Sequence, residues 1–207
     1  MVFFENHAGD FGGGIAFKAV NSKNTMNLTI GGGASFQDNS AGEKGGAIYG
    51  ERCSIVLTGG KYSGNTAGTH GGMLYIEENS NLTMTQGAQA FENEAPRGGC
   101  VFAEGDCLLD LTHGVILHDN FATAHGGAMY AHTSTTVRMA HQVQCIRNSA
   151  GGDGGCIQLW GGSHLHASDD VTFADNAAGD DGGAIACQVA GDALSFVTLK
   201  NGKTCCG

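Results

Sequence analysis

Apolar and polar positions alternate along this chain in short bursts, each closed by glycine, asparagine or aspartate. AIYGE (47–51) and MLYIE (73–77) are bursts of one kind; SIVLT (54–58), NLTMT (81–85), LLDLT (108–112) and TVRMA (136–140) are bursts of another. Period-two alternation rich in β-branched and aromatic residues predicts strands, and the Gly/Asn/Asp clusters between them predict turns. No stretch carries a helical period long enough to predict an amphipathic helix.

The bursts recur in a fixed order. Aligned on a Gly-Gly pair, seven copies of one motif appear: FENHAGDFGGGI, FQDNSAGEKGGAI, YSGNTAGTHGGML, FENEAPRGGCV, LHDNFATAHGGAM, CIRNSAGGDGGCI and FADNAAGDDGGAI. Their Asn falls at Asn6, Asn39, Asn65, Asn93, Asn120, Asn148 and Asn176, with gaps of 33, 26, 28, 27, 28 and 28 residues. The fourth copy is one residue short and carries the single proline, Pro96. Each unit reads as three short strands. Such a unit cannot bury its own apolar side chains, but it can if each unit is one coil of a solenoid stacked on the next. The expectation is all-β: a right-handed parallel β-helix of about seven three-strand coils of roughly 28 residues. At the spacing of paired strands the rod would be about 34 Å long.

Stacking places like residues over like. The Asn residues are expected to tolerate a tight corner and to bond to one another as a ladder, and Gly-Gly to supply positive φ and close approach. Phe3, Phe36, Tyr62, Leu117, Cys145 and Phe173 are assigned to the core. After Gly-Gly, alternation sorts the side chains into two faces. Ile15, Ile48, Leu74, Val101, Met129, Ile157 and Ile185, with Phe17, Gly50, Ile76, Ala103, Ala131, Leu159 and Cys187 two positions on, carry no charge and face inward. Tyr49, Tyr75, Phe102 and Tyr130 then point outward, beside a column of Glu51, Glu77, Glu104 and His132. An exposed aromatic stripe beside an acidic one is the expected binding face, since aromatic rings anchor partners or stack on sugars. Cross-strand stacking would equally stabilise an exposed sheet with no ligand.

Recurring FxxN followed by GGA[ILV], clearest in FQDN with GGAI and FADN with GGAI, resembles the repeats of the chlamydial polymorphic outer-membrane proteins. The resemblance runs over essentially the whole chain. It implies a right-handed β-helix and a surface-exposed or secreted, adhesin-like role. It does not name a ligand.

Composition narrows the function classes. Of 207 residues 36 are Gly and one is Pro, and the glycines lack the three-residue period of collagen. A formal charge of −10 argues against nucleic acid as a partner. No apolar run approaches a membrane span, so no direct membrane insertion is expected. The amino terminus begins inside the repeat and lacks the pattern of a signal peptide. Residues 1–207 are therefore expected to form one β-helix domain, a fragment or mature part of a larger surface or secreted protein. With no capping helix in view, a partner or further chain is expected at an open end.

Enzymatic and metal chemistry have weaker support. Comparable β-helices break down polysaccharides, and Asp169-Asp170, Asp180-Asp181 or the Glu column could supply paired carboxylates; the Asp pairs also read as ordinary turn polarity. His164 and His166 share a strand face and His141 lies in the preceding coil, while His70 and His125 fall at equivalent turns two coils apart, too far to share an ion. No cofactor or metal is expected. Thr29, Thr58, Thr85 and Thr112 approximate a column that Ala140 interrupts. Asn27-Leu-Thr29 and Asn81-Leu-Thr83 match glycosylation sequons. Of the eight cysteines, Cys100 and Cys156 share a column two coils apart, beyond disulfide reach; most are expected to be reduced, with Cys205 or Cys206 free to close the last coil or link to another chain. The reading that results is a non-enzymatic surface rod presenting a binding face to a protein or glycan. The alternatives are a carbohydrate-binding or carbohydrate-cleaving β-helix and a subunit of a large assembly.

Overall fold

The computed structural model describes residues 1–19 and 25–200. Cys205 and Cys206 lie outside the described residues. The chain winds as a parallel solenoid whose strands pair coil to coil in four sheets of seven strands each. Six full turns separate Asn6 from Asn176. Every named strand pair is parallel, and no helix occurs among the described residues.

Each coil carries four strands, not the expected three. The fifth coil shows the plan: Ile116–His118 in sheet A, Phe121–His125 in sheet B, Met129–His132 in sheet C and Thr136–Ala140 in sheet D. The additional strand is the one after the Asn. In most coils it is two residues long, as at Ser40–Ala41 and Thr66–Ala67, too short to show an alternation. In the fourth coil it runs Glu94–Arg97 through Pro96, and its register against the fifth coil shifts between Ala95 and Arg97. The missing residue of that copy is absorbed there.

Three sheets feed one interior. Sheet A sends in the column Phe3, Phe36, Tyr62, Ala90, Leu117, Cys145 and Phe173. Sheet C sends in its two uncharged columns in the expected register. Sheet D adds Ile55, Leu82, Leu109, Val137 and Leu165. In the middle coils these side chains are almost wholly removed from water, each Val, Leu, Ile, Met or Phe among them contributing about 1.5–3 kcal/mol of transfer free energy. Phe91 is the exception in the motif: Ala90 takes the inward place, and the Phe91 ring lies outside, stacked on His118 at 4.8 Å.

The Asn ladder is continuous. From Asn6 to Asn148 each Asn Nδ2 donates to the Oδ1 of the Asn one coil on, at 2.7–3.1 Å. That same Oδ1 also accepts the backbone N–H of the Asn below it. From Asn39 onward the second Nδ2 hydrogen goes to a backbone carbonyl of the preceding coil. A buried amide with two donors and two acceptor sites thus has all four filled. The tight corner belongs elsewhere than expected. Positive φ falls on the residue before the Asn, at Glu5, Asp38, Gly64, Glu92, Asp119, Arg147 and Asp175.

The two glycines of each pair do different work. The first has positive φ, between 60° and 69° from Gly12 to Gly182. From Gly13 to Gly155 the second sits where a Cβ would overlap the carbonyl oxygen of the corresponding glycine in the next coil, as Gly72 does with Gly99 and Gly127 with Gly155.

One sequence expectation is corrected by register, and one cysteine pair was not foreseen. Thr29 pairs with Val56, so it stands outside the column that begins Thr58–Thr85. Cys145 and Cys156 form a disulfide within one coil, with Cα atoms 6.3 Å apart; comparing columns between coils overlooks a pair that faces across the interior of a single coil. Cys53, Cys100 and Cys107 are free and buried, and burial pushes the Cys53 thiol up to about 11.

Candidate functional site

The outward side of sheet C carries the expected aromatic ladder. Tyr49, Tyr75, Phe102 and Tyr130 stand in register, their rings stacked at 5.1–5.6 Å and tilted by no more than 12°. Phe11 continues the stack at one end, 4.8 Å from Tyr49, and Trp160 packs against the other.

The ladder is not exposed. Its four rings retain 0–6% of their accessible surface and form an apolar cluster separate from the main core. The turn residues just before each Gly-Gly pair lie over it. Phe11, Lys44, His70, Arg97 and His125 form their own parallel column. Lys44 Nζ sits 4.2 Å above the Tyr75 ring, and His70 meets Phe102 edge-on at 4.5 Å. The aromatic stripe expected as an open contact surface is therefore a second buried seam. The turn column that covers it is chemically mixed, so alternation within one strand does not disclose it.

What reaches the surface is the edge of the seam. Glu51, Glu77, Glu104 and His132 align as expected, with Lys18 before them and Trp160 after. The stacked carboxylates are individually compensated. Tyr49 donates its hydroxyl to Glu77. The Tyr75 hydroxyl accepts from Lys44 Nζ at 2.8 Å and lies 2.9 Å from Glu77 and 3.0 Å from Glu104. Lys44 pairs with Glu77 at 3.5 Å and Arg52 with Glu51 at 2.9 Å. Burial, then the neighbouring carboxylates, push the Tyr75 phenol far above its ordinary range. The His132 imidazole, with Nδ1 3.3 Å from Glu104, brings that carboxyl down to about 2 against the opposing effect of burial; Tyr75 and Lys44 assist.

A groove of about 480 Å³ opens where the carboxylate column gives way to His132 and Trp160. Phe102 and Tyr130 form its floor, and Arg97, His70 and His125 border it from the turn column. Arg97 Nη1 lies 3.4 Å from His70 Nε2. A guanidinium only donates, so Nε2 accepts and the proton of neutral His70 sits on Nδ1. That nitrogen is buried without a hydrogen-bond partner among the described residues. Burial, followed by the charges of Arg97 and Lys44, brings the His70 pKa down to about 4. His125 Nδ1 lies 3.1 Å from the backbone N of Asp153 and 3.3 Å from its carboxylate. Arg97 and Trp160 escaped sequence reasoning because each is a solitary residue in its column. His70 and His125 do occupy equivalent turns two coils apart, with Arg97 between them.

The remaining candidates are dispersed. His164 stacks on Phe196 at 3.7 Å, while His141 lies beside Asp169 and tilts against His113. Among the described residues no group of three or more His, Cys, Asp or Glu is placed to hold a metal ion. Asp169 and Asp170 occupy positive-φ turn positions, and the Asp181 backbone N–H donates to Asp153 Oδ1. Apart from Phe121, the exposed large apolar side chains gather in the outer coils, among them Val2 and Phe4 at one end and Leu194 and Leu199 at the other.

Residues 33–51 and 170–188 match the Chlamydia polymorphic membrane protein repeat. Those spans hold the second and seventh copies of the motif, including Asn39 with Gly45-Gly46 and Asn176 with Gly182-Gly183. No curated protein and no solved structure matches the chain.

Proposed function

We propose, from the premise that this solenoid carries the Chlamydia polymorphic membrane protein repeat, that the protein is a non-enzymatic rod displayed at a cell surface or secreted, where it acts as an adhesin-like scaffold. One observation carries the reading. The repeated residues are consumed in building the rod, since the Asn ladder, the glycine contacts and both apolar seams engage them coil after coil. On the outside the side chains vary from coil to coil, as His132 and Trp160 do after Glu104. A rod of this kind suits display of a surface along its length.

The contact face in this reading is the edge of the second seam, Glu51, Glu77, Glu104 and His132 with Trp160. Tyr49, Tyr75, Phe102 and Tyr130 support it from beneath. The test pairs two measurements on the whole chain: adhesion of protein-coated beads to cultured epithelial cells, and reducing-sugar release from a panel of polysaccharides. Saturable adhesion that soluble protein competes away, with no sugar released, is the expected result. Beads that fail to adhere would remove the adhesin role, and released sugar would remove the non-enzymatic one.

A further inference from the structure

The groove at the fifth and sixth coils differs in chemistry from the seam that leads to it. Along the earlier coils the carboxylates are met by Lys44 and Arg52. From Glu104 onward the same column supplies an imidazole and an indole, and the covering turn column supplies a guanidinium and further imidazoles. In a chain of net charge −10, this is a donor-rich recess set against an acidic background.

Three of its groups are uncommitted or turned to the opening. Among the described residues Arg97 is exposed, forms no ion pair with a carboxylate, and touches only the neutral His70 through its side-chain nitrogens. Tyr49 and Tyr75 spend their hydroxyls on Glu77 and Glu104, whereas the Tyr130 hydroxyl has no hydrogen-bond partner among the described residues. Trp160, half-buried, closes the aromatic stack and lines the recess. Glu104, the one carboxylate present, is engaged by Tyr75 and His132.

We propose that this groove binds a sugar residue that carries a carboxylate. Arg97 pairs with the carboxylate, as the planar guanidinium fork does best. Tyr130 and His132 meet ring hydroxyls, and the indole of Trp160 covers the C–H face of the ring, burying apolar surface on one side while its polar edge stays wet. The volume falls within the range of small-ligand sites. Glu104 at the rim tolerates a single negative charge better than a phosphate dianion, because like-charge repulsion grows with ligand charge. A neutral sugar leaves Arg97 without a counter-charge. The inference rests on the reading of the rod as a binding scaffold and names the ligand class of one part of it.

Titration calorimetry of the whole chain provides the test, with two sources of the same chemistry: sialyllactose against lactose, and tri-galacturonate against its methyl ester. At least one acid is expected to bind about tenfold or more tightly than its neutral counterpart, a difference of about 1.4 kcal/mol. Arg97→Gln should bring the acid to the neutral level, Arg97→Lys should retain part of the preference, and Trp160→Phe should weaken acid and neutral forms alike. Arg138→Gln, on the exposed outer face of sheet D, should change nothing. Urea unfolding of each variant separates lost binding from lost fold. The proposal is overturned if neither acid binds, if the neutral forms bind equally, if folded Arg97→Gln binds as the parent does, or if a Glu-rich peptide binds through Arg97 where the sugars do not. Cell adhesion undiminished in Arg97→Gln overturns this inference and spares the adhesin reading; acid-sugar binding without adhesion does the reverse.

Discussion

At the scale of single residues, the ladder Asn shows why a polar side chain can be the most constrained position in a coil. Asn93 is wholly buried and its side chain makes four hydrogen bonds to three residues: it accepts from the backbone and side chain of Asn65, and donates to Tyr62 O and Asn120 Oδ1. Asn93→Ala removes those bonds and leaves buried groups on both neighbouring coils unsatisfied, each a loss of about 1 kcal/mol or more. Urea unfolding should register a destabilisation of about 3 kcal/mol or more. Asn6→Ala, at an exposed end rung with fewer bonds, should cost clearly less. The ladder is readable in sequence because stacking demands the same amide at every rung. Its backbone corner is not, since Glu, Asp, Gly and Arg all serve at the preceding position; short polar side chains and glycine tolerate that conformation, but nothing in the pattern singles it out.

At the scale of elements, the Gly-Gly turn divides its two demands between neighbouring residues. Gly127→Ala should be severely destabilising, because the new methyl overlaps the backbone of Gly155 and of Ser149, and backbone cannot step aside as the tip of a side chain can. Gly183→Ala offers the internal control, since there a Cβ meets only Asn176 O at 3.4 Å. A large fall in folded yield or urea midpoint for the first, and a small one for the second, is the expected outcome; equal losses would mean that close approach is not what the second glycine provides. Three of the four strands per coil were legible from alternation. The fourth was not, since a two-residue strand such as Ala177–Ala178 has no period to show. The cover over Tyr49, Tyr75, Phe102 and Tyr130 was hidden for a different reason: it is built from turn residues about 28 positions apart that share a place and little chemistry. The Cys145–Cys156 bridge was hidden because it crosses a coil, whereas the repeat compares one coil with another.

At the scale of the whole molecule, two parallel apolar seams bind the coils together, and the outer one is built to depend on pH. His70 titrates near 4 in the folded chain against an ordinary value of 6.5. The unfolded chain therefore takes up the proton first as pH falls, so the His70 contribution to stability is complete above about 6.5 and is lost as pH drops through 4. Glu104, brought from 4.5 to about 2, acts in a lower window: its contribution is complete above about 4.5 and disappears towards 2. Urea midpoints measured from pH 8 to pH 2 should decline in both windows. His70→Phe should remove its share of the decline between 6.5 and 4 while leaving the lower one in place; a slope unchanged by that substitution would contradict the assignment.

The separation of inward and outward columns has one more consequence. Because amide ladder, glycine contacts and both seams are satisfied within the wall, the exterior side chains are free to drift independently, rung by rung. Substitution outside can then proceed one position at a time without renegotiating how the rod stands up.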